Sequence, residues 1–324
     1  MCGQCLCIIE VRTDDDMKRY LCIDGGGTYV KYAFINEDGS FLRQGKYETP
    51  RTDLDEFLAK IRELYLQDPD ISGIGFSMPG IIDIETGVIK AGTIRCCTGI
   101  AFTDTVSRLC GNLPVSLEND GKAAAAAEMV SGALSDAESG VILTLGTGIG
   151  GTVFIDRKIV RGNRLFAGEL SYCYRHNELL FDPADPIMDN DDRGARYASL
   201  CTPSGIVARY NQLSGKNLKA ADCPQVFAGM REENEHALHA VREAAKDLAM
   251  LIFNIQCIID PDAFAIGGGL SEQEIFIDMV REAVKAYKPA DLDLCPIPDI
   301  RTCRYRNDAN LLGAMYRLKE KYDI

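Results

Sequence analysis

The amino-acid sequence predicts an α/β protein of two lobes, each a mixed sheet flanked by helices. The chain has 324 residues, which is more than a single hydrophobic core usually serves. Strand-like apolar runs alternate with stretches of helical spacing along its length. One pattern, a strand that turns back through glycine and threonine, occurs at residues 24–37 and again at 146–156. This repeat indicates that each lobe contains one copy of the same strand–turn–strand motif.

The first lobe is predicted to open with strands at residues 20–24, 29–36 and 41–48, separated by a glycine turn and a hairpin signal. Apolar residues at helical spacing behind Asp53, a candidate N-cap, predict a helix over residues 54–66. The first half is completed by strands at 71–76 and 115–117 and by helices at 103–110 and 121–130.

The pattern then restarts, with predicted strands at 141–145, 152–155 and 159–161. Predicted helices at 235–258 and 272–286 flank a strand at 263–266. A C-terminal helix at 309–322 is expected to pack back on the first lobe. The Asp- and Pro-rich segment 174–200 is predicted to be irregular. We therefore expect a tail at residues 1–19, a first lobe at 20–120 plus 309–324, and a second lobe at 121–308.

Charge and composition exclude several functional classes. The net charge of −13 argues against a general nucleic-acid binder, which needs a basic face. No apolar run approaches the roughly 18 to 20 residues that cross a bilayer, and no signal peptide is predicted, so the cytoplasm is the expected location. Thirteen scattered cysteines are expected to be reduced thiols. Cys2, Cys5 and Cys7 indicate either an incidental tail or a partial metal or redox site.

The glycine loops carry the chemistry that the sequence predicts. Residues 146–151 fit G-x-G-x-x-G, but a dinucleotide site needs a helix next, whereas β-branched and aromatic residues follow. The same loop fits a protein-kinase pattern, but no H-R-D or D-F-G element follows it. Two glycine-threonine turns in repeated context instead predict backbone N–H groups that bind phosphate. Asp24, at the end of its strand, suits a water bound to magnesium.

These motifs resemble the ROK family (repressors, open reading frames and kinases) of the actin-like sugar kinases. The resemblance covers residues 20–322 and rests on an ordered series of motifs. These are residues 23–28, Pro79-Gly80, Glu118-Asn119-Asp120 before an alanine-rich helix, residues 146–151, Ala167-Gly168-Glu169, and Asp260-Pro261 leading to Gly267–Gly269. It implies two actin-like, ribonuclease-H-like lobes with a cleft between them.

The resemblance also implies an ATP-dependent sugar kinase that uses Mg²⁺. Residues expected to face ATP are Asp24, Gly25, Gly26, Gly27, Thr28, Lys31, Thr147, Gly148, Gly268 and Gly269, with Asp24 holding the metal through water. Residues expected to bind the sugar are Pro79, Gly80, Asn119, Asp120, Glu169 and Tyr172. Asp120 is the expected general base, which phosphoryl transfer requires on the attacking hydroxyl. A helix N-cap is the alternative role for Asp120.

The sequence departs from the family pattern around Tyr172. Family members commonly carry histidine there, then a cysteine-rich zinc motif and a second sugar-contacting glutamate. Here only Cys173 and Cys201 lie nearby and residues 197–204 contain no glutamate, so no structural zinc is expected. This variation resembles the zinc-less β-glucoside kinase branch, with the 6-OH of a glucose-type sugar or β-glucoside as the expected acceptor. Glucokinase-like and N-acetylmannosamine kinase-like activities remain alternatives.

Sugar-binding regulators and catalytically silent sensors form a different class of function. Family repressors carry an N-terminal winged helix, whereas only about 19 residues precede the first predicted strand, without a helix-turn-helix pattern or a basic face. The intact Asp120 favours catalysis. We therefore expect a sugar and ATP as partners, no nucleic acid and no membrane, and, from the resemblance alone, a homodimer.

Overall fold

The computed structural model describes residues 17–175 and 196–324. Cys2, Cys5, Cys7 and most of segment 174–200 therefore lie outside the described residues. The described chain forms two compact units, one containing the residues up to Ala123 together with Asn310–Ile324 and the other Ala124–Ala309. Within the described ranges, no helix is both long enough and apolar enough to span a membrane.

The first unit contains a five-stranded sheet in the order β3-β2-β1-β4-β7. Its strands are β1 (Arg19–Gly25), β2 (Tyr29–Asn36), β3 (Phe41–Glu48), β4 (Gly73–Met78) and β7 (Val115–Asn119). A small antiparallel pair is formed by β5 (Ile81–Asp83) and β6 (Val88–Ala91). The helices are α1 (Leu54–Tyr65), α2 (Phe102–Leu109), α3 (Asp120–Val130), which runs on into the second unit, and α8 (Ala309–Tyr322). Asp53 caps α1 by accepting a hydrogen bond from the Glu56 amide, as predicted.

The second unit contains a five-stranded sheet in the order β10-β9-β8-β11-β12. Its strands are β8 (Gly140–Leu145), β9 (Ile149–Ile155), β10 (Lys158–Ile159), β11 (Ala263–Gly267) and β12 (Ile300–Thr302). Its helices are α4 (Pro203–Ser214), α5 (Cys223–Arg231), α6 (Glu235–Ile259) and α7 (Glu274–Lys285). The apolar face of α6, which includes Ala244, Leu248 and Ile252, is buried in the core of this unit.

The two sheets share one topology. β1 pairs antiparallel with β2 and β2 with β3, whereas β4 runs parallel to β1 and β7 parallel to β4. In the second sheet β8, β9 and β10 form the antiparallel part, and β11 and β12 are added in parallel. The predicted repeat is thus a repeat of sheet topology, and the prediction of two mixed sheets flanked by helices is confirmed.

Some predicted elements were wrong in extent, and some observed elements were not predicted. The strand predicted at 159–161 is only Lys158–Ile159, and Gly162 beyond it has a φ of +72°. The helix predicted at 272–286 begins at Glu274, after a 3₁₀ turn at Gly269–Glu272. The prediction omitted β5, β6, α4, α5 and β12.

The C-terminal helix packs on the first unit. The first unit includes Asn310–Ile324, and a Cβ added to Gly75 of β4 would lie 2.7 Å from the Ala314 carbonyl carbon. Glycine in β4 therefore lets the backbone of α8 approach the sheet closely.

We expect Gly313→Ala to destabilise the first unit by about 1–3 kcal/mol, because a methyl group there would collide with the backbone of Ala123 in α3, which cannot move aside like a side chain. Gly229→Ala in α5 is the matched control. Its added Cβ would lie 3.6 Å from the Ala237 Cβ, an ordinary contact, so a helix-propensity gain of up to about 1 kcal/mol is expected. Urea unfolding of both variants measures the difference, and an equal midpoint for Gly313→Ala and wild type would contradict the close packing.

Candidate active site

In the first unit, three groups of predicted site residues lie at or just after the carboxyl ends of neighbouring parallel strands. Asp24 in β1 is in register with Ser77 in β4, and Met78 in β4 is in register with Asn119 in β7. Because parallel strands end at one edge of a sheet, the structure brings Asp24, Pro79-Gly80 and Asn119-Asp120 together at this edge.

Asp24 is a nearly buried carboxylate, only 8% exposed. Its Oδ1 accepts hydrogen bonds from Asn310 Nδ2 at 2.9 Å and from Ser77 Oγ at 3.1 Å. Burial raises the pKa of Asp24, while these two hydrogen bonds and the charge of Lys31 act in the opposite direction. Lys31 is the cross-strand partner of Asp24 on β2. A buried, oriented carboxylate that keeps polar neighbours fits a magnesium ion held through water.

The glycine loop after β1 is held from both sides. The Gly26 amide donates to the Tyr29 carbonyl at 3.0 Å, and Thr49 Oγ1 donates to the Gly26 carbonyl at 2.7 Å. Thr28 is exposed at the tip of the turn, and Arg51 Nη2 lies 3.3 Å from its hydroxyl oxygen. The sequence prediction omitted Arg51, which adds positive charge beside a loop predicted to bind phosphate.

Asn119 and Asp120 form a connected pair at the start of α3. Asn119 Nδ2 donates to Asp120 Oδ1 and to the Gly80 carbonyl, each at 3.0 Å. Asp120 Oδ1 also accepts from the Gly121 amide at 2.9 Å. Two donors on one oxygen fix the plane of this half-buried carboxylate, which suits a proton acceptor. The Lys122 amide donates to Asn119 Oδ1 at 3.2 Å, so Asn119 acts as the helix cap considered for Asp120.

Gly80 has a backbone that favours glycine. Its φ is +122°, and an added Cβ would collide with the Ala91 carbonyl oxygen. Its carbonyl is therefore presented to Asn119 by a turn that few other residues could form.

In the second unit, the other predicted ATP residues also follow parallel strands. Thr147 and Gly148 follow β8, and Gly268 and Gly269 follow β11, the parallel neighbour of β8. Gly268 has a φ of +83°, and an added Cβ would collide with the Leu145 carbonyl. Thr147 and Gly269 are exposed. The structure thus brings the glycine loop after β8 and the glycine loop after β11 together at one edge of the second sheet.

Ser171 links one of these loops to the predicted sugar residues. Its hydroxyl accepts from the Ile149 amide at 2.8 Å and lies 3.1 Å from the Ile149 carbonyl oxygen. It belongs to a 3₁₀ turn, Leu170–Tyr172, in which the Tyr172 amide donates to the Glu169 carbonyl. Glu169 and Tyr172 are both exposed. The structure therefore places Glu169 and Tyr172 on the turn that braces the start of β9.

Two described cysteines, Cys173 and Cys201, lie near this turn. Burial raises the pKa of both thiols. Among residues 17–175 and 196–324, no group of three or more His, Cys, Asp or Glu side chains is placed to hold a metal ion. The expected absence of zinc stays a prediction.

Comparisons with known proteins identify the family. The model of the ROK family matches residues 20–321. A β-glucoside kinase of Listeria innocua is 29% identical over 301 residues, which cover 92% of this chain and 96% of that protein. An N-acetyl-D-glucosamine kinase of Haemophilus influenzae is 28% identical, with 91% and 97% covered.

A solved structure shares the fold as well. It is a ROK family protein from Streptococcus pneumoniae TIGR4 in complex with sucrose, with a TM-score of 0.80 and 28% identity over 94% of this chain and 99% of that chain. The family match extends over nearly the whole chain. The family prediction is therefore confirmed, and the chain belongs to the ROK family.

Proposed function

We propose that this protein is an ATP-dependent sugar kinase that transfers the γ-phosphoryl group to the 6-OH of a glucose-type sugar or β-glucoside. The observation that carries this proposal is the oriented Asn119-Asp120 pair, which lies at the same sheet edge as Asp24 and its glycine loop. Family relatives named as sugar kinases support the same activity.

Asp120 is the proposed general base. The sugar hydroxyl attacks the γ-phosphorus and passes its proton to Asp120, while ADP leaves with the electrons of the broken bond between the γ-phosphorus and the β,γ-bridging oxygen. The hydrogen bonds from Asn119 and the Gly121 amide leave the carboxylate little freedom to rotate, which supports proton acceptance in one direction. Asn119, Pro79 and Gly80 are the proposed contacts to the sugar on this side.

The glycine loops are the proposed phosphate contacts. In the first unit, Asp24 would hold magnesium through water. The proposed phosphate contacts there are Gly25, Gly26, Gly27, Thr28 and Lys31. In the second unit, Thr147 and Gly148 contact phosphate, Gly268 and Gly269 leave room for adenosine, and Glu169 and Tyr172 contact the sugar. Magnesium, when bound, neutralises phosphate charge. The chain carries a net charge of −13, so backbone amides and cations close to the phosphates must supply the positive potential that binds them.

Sugar-stimulated release of ADP tests the proposal. A panel of hexoses, N-acetylhexosamines and β-glucosides is offered with Mg·ATP, and at least one sugar is expected to raise turnover well above the sugar-free rate. Sugar binding without any turnover across the panel would instead favour a regulator or sensor. The homodimer stays a prediction, which sedimentation of the purified protein would test.

Asn310→Ala is expected to lower kcat/KM for transfer by about tenfold, as loss of an outer-shell partner does at metal sites. The substitution removes the 2.9 Å donor to Asp24 and so favours the protonated carboxyl. Titration of kcat/KM with magnesium measures the effect, and extra magnesium should restore part of the loss. An unchanged magnesium dependence would contradict the role given to Asp24.

A further inference from the structure

Three aromatic side chains lie exposed around Glu169 in the second unit. Phe166 is 54% exposed, Tyr172 53% and Tyr174 38%. Phe166 and Tyr172 have ring centroids 5.3 Å apart at an interplanar angle of 42°. Single exposed aromatic residues are common on soluble proteins, but a contiguous exposed group marks a binding surface.

Arg196 joins the group from a distant part of the chain. Its guanidinium lies 5.6 Å from the Tyr172 centroid and 5.2 Å from the Tyr174 centroid. Its Nη2 also lies 3.1 Å from Tyr174 Oη, and residues 174 and 196 form an antiparallel bridge. The cation thus contacts both tyrosine rings and restricts their orientation. We call Phe166, Tyr172, Tyr174 and Arg196 the aromatic platform.

The backbone holds the platform around Glu169. The Glu169 amide donates to the Phe166 carbonyl at 3.3 Å, and the Tyr172 amide donates to the Glu169 carbonyl at 3.1 Å. The turn between them is anchored by buried Leu170 and by Ser171, which is hydrogen-bonded to Ile149. The backbone that carries Phe166 and Tyr172 is therefore held in place on both sides of Glu169, which is proposed to hold sugar hydroxyls, so binding needs little further ordering of this turn.

We infer that the aromatic platform binds a second ring, attached to the sugar through its glycosidic oxygen, so that this site selects glycosides over free monosaccharides. This inference rests on the proposed function of Glu169. Pyranose and aryl rings both present an apolar face that packs on aromatic side chains, with polar groups at the edge. A second ring must be attached at a position that leaves the phosphorylated 6-OH free to react, and the glycosidic oxygen on carbon 1 is such a position. A two-ring sugar is also the ligand named for the pneumococcal ROK structure.

Calorimetric titration without ATP tests the inference directly. Glucose, phenyl β-glucoside and cellobiose are titrated into the wild-type protein, Phe166→Ala and Leu294→Ala. Leu294 is 92% exposed in the same unit and is not a member of the aromatic platform, so it is the control for loss of an exposed apolar side chain. We expect both glycosides to bind wild type more tightly than glucose, and Phe166→Ala to reduce that preference about tenfold. Leu294→Ala should retain it.

Two results would overturn the inference. One is equal wild-type affinity for glucose and both glycosides, and the other is a glycoside preference that Phe166→Ala leaves unchanged. If Phe166→Ala keeps the glycoside preference and also loses affinity for ADP, the rings are assigned to adenine instead. Binding is measured without phosphoryl transfer, so the two proposals can fail separately. If the protein shows no turnover but has a glycoside preference that Phe166→Ala removes, the proposed kinase activity is refuted and the proposed role of the aromatic platform is supported.

Discussion

Asp120→Asn is expected to slow phosphoryl transfer by about 100-fold or more while ATP still binds. The substitution keeps the shape of the side chain and an oxygen that can accept from Asn119 and the Gly121 amide. It removes the carboxylate that takes the proton from the sugar hydroxyl. The loss should therefore appear in kcat, with the affinity for ATP close to that of the wild type.

Asp53→Asn provides the control for this experiment. Asp53 is also an acidic residue at a helix N-terminus in the first unit, where it accepts from the Glu56 amide at 3.0 Å. Asparagine caps helices about as well as aspartate, so stability and turnover should stay near the wild-type values. Single-turnover assays of both variants separate chemistry from product release. Near-normal transfer in Asp120→Asn would exclude Asp120 as the general base.

Asp247→Ala is expected to destabilise the second unit by about 3 kcal/mol, the lower end of the cost of removing one partner of a buried ion pair, because both arginines keep some contact with water. Asp247 in α6 is only 2% exposed. Its two oxygens lie 3.1 Å from Arg175 Nε and 2.8 Å from Arg209 Nη2. Burial raises the pKa of Asp247 even though both arginines act in the opposite direction. Alanine would leave Arg209 of α4 partly buried without this countercharge.

An exposed pair on the same helix gives the comparison. Lys246 and Glu243 are 2.7 Å apart at the surface, and Glu243→Gln should cost less than about 1 kcal/mol. The double variant Asp247→Leu with Arg209→Met should be more stable than Asp247→Ala, because no buried charge is left behind. Chemical unfolding of the three variants measures the ranking. Equal stability of Asp247→Ala and Glu243→Gln would show that the buried pair contributes little.

Local patterns were sufficient to predict the strand-end motifs of the site. Asp24 and Asn119 lie at the carboxyl ends of apolar strands and Asp120 comes directly after one, and β1, β4 and β7 bring all three to one sheet edge. Asn310, the donor to Asp24, lies 286 residues away in sequence. No local signal identifies such a partner, because its role arises only when α8 packs on the sheet.

The sequence contains helix start and stop signals for α4, although this helix was not predicted. Thr202 accepts from the Gly205 amide as N-cap, Pro203 occupies the first turn, and Gly215 ends the helix with a φ of +71°. Its buried residues, which include Ile206, Val207 and Tyr210, make only a short apolar stripe, so periodicity alone gave a weak signal.

The aromatic platform lay partly beyond sequence reasoning. Tyr172 was predicted as a sugar contact from its place after Gly168-Glu169. Arg196 joins Tyr172 and Tyr174 only through tertiary structure, because it lies 22 positions after Tyr174 in the sequence. The exposure of Phe166 likewise becomes visible only in the folded unit.

The most direct test of the central claim is the chemical fate of the γ-phosphoryl group. Wild-type protein is incubated with Mg·ATP and a sugar that stimulates turnover, and the products are followed by phosphorus NMR. We expect one new phosphomonoester whose phosphorus couples to the protons on carbon 6 of the sugar, formed in step with ADP. Inorganic phosphate as the only new product, or a bound sugar that is never phosphorylated, would contradict it.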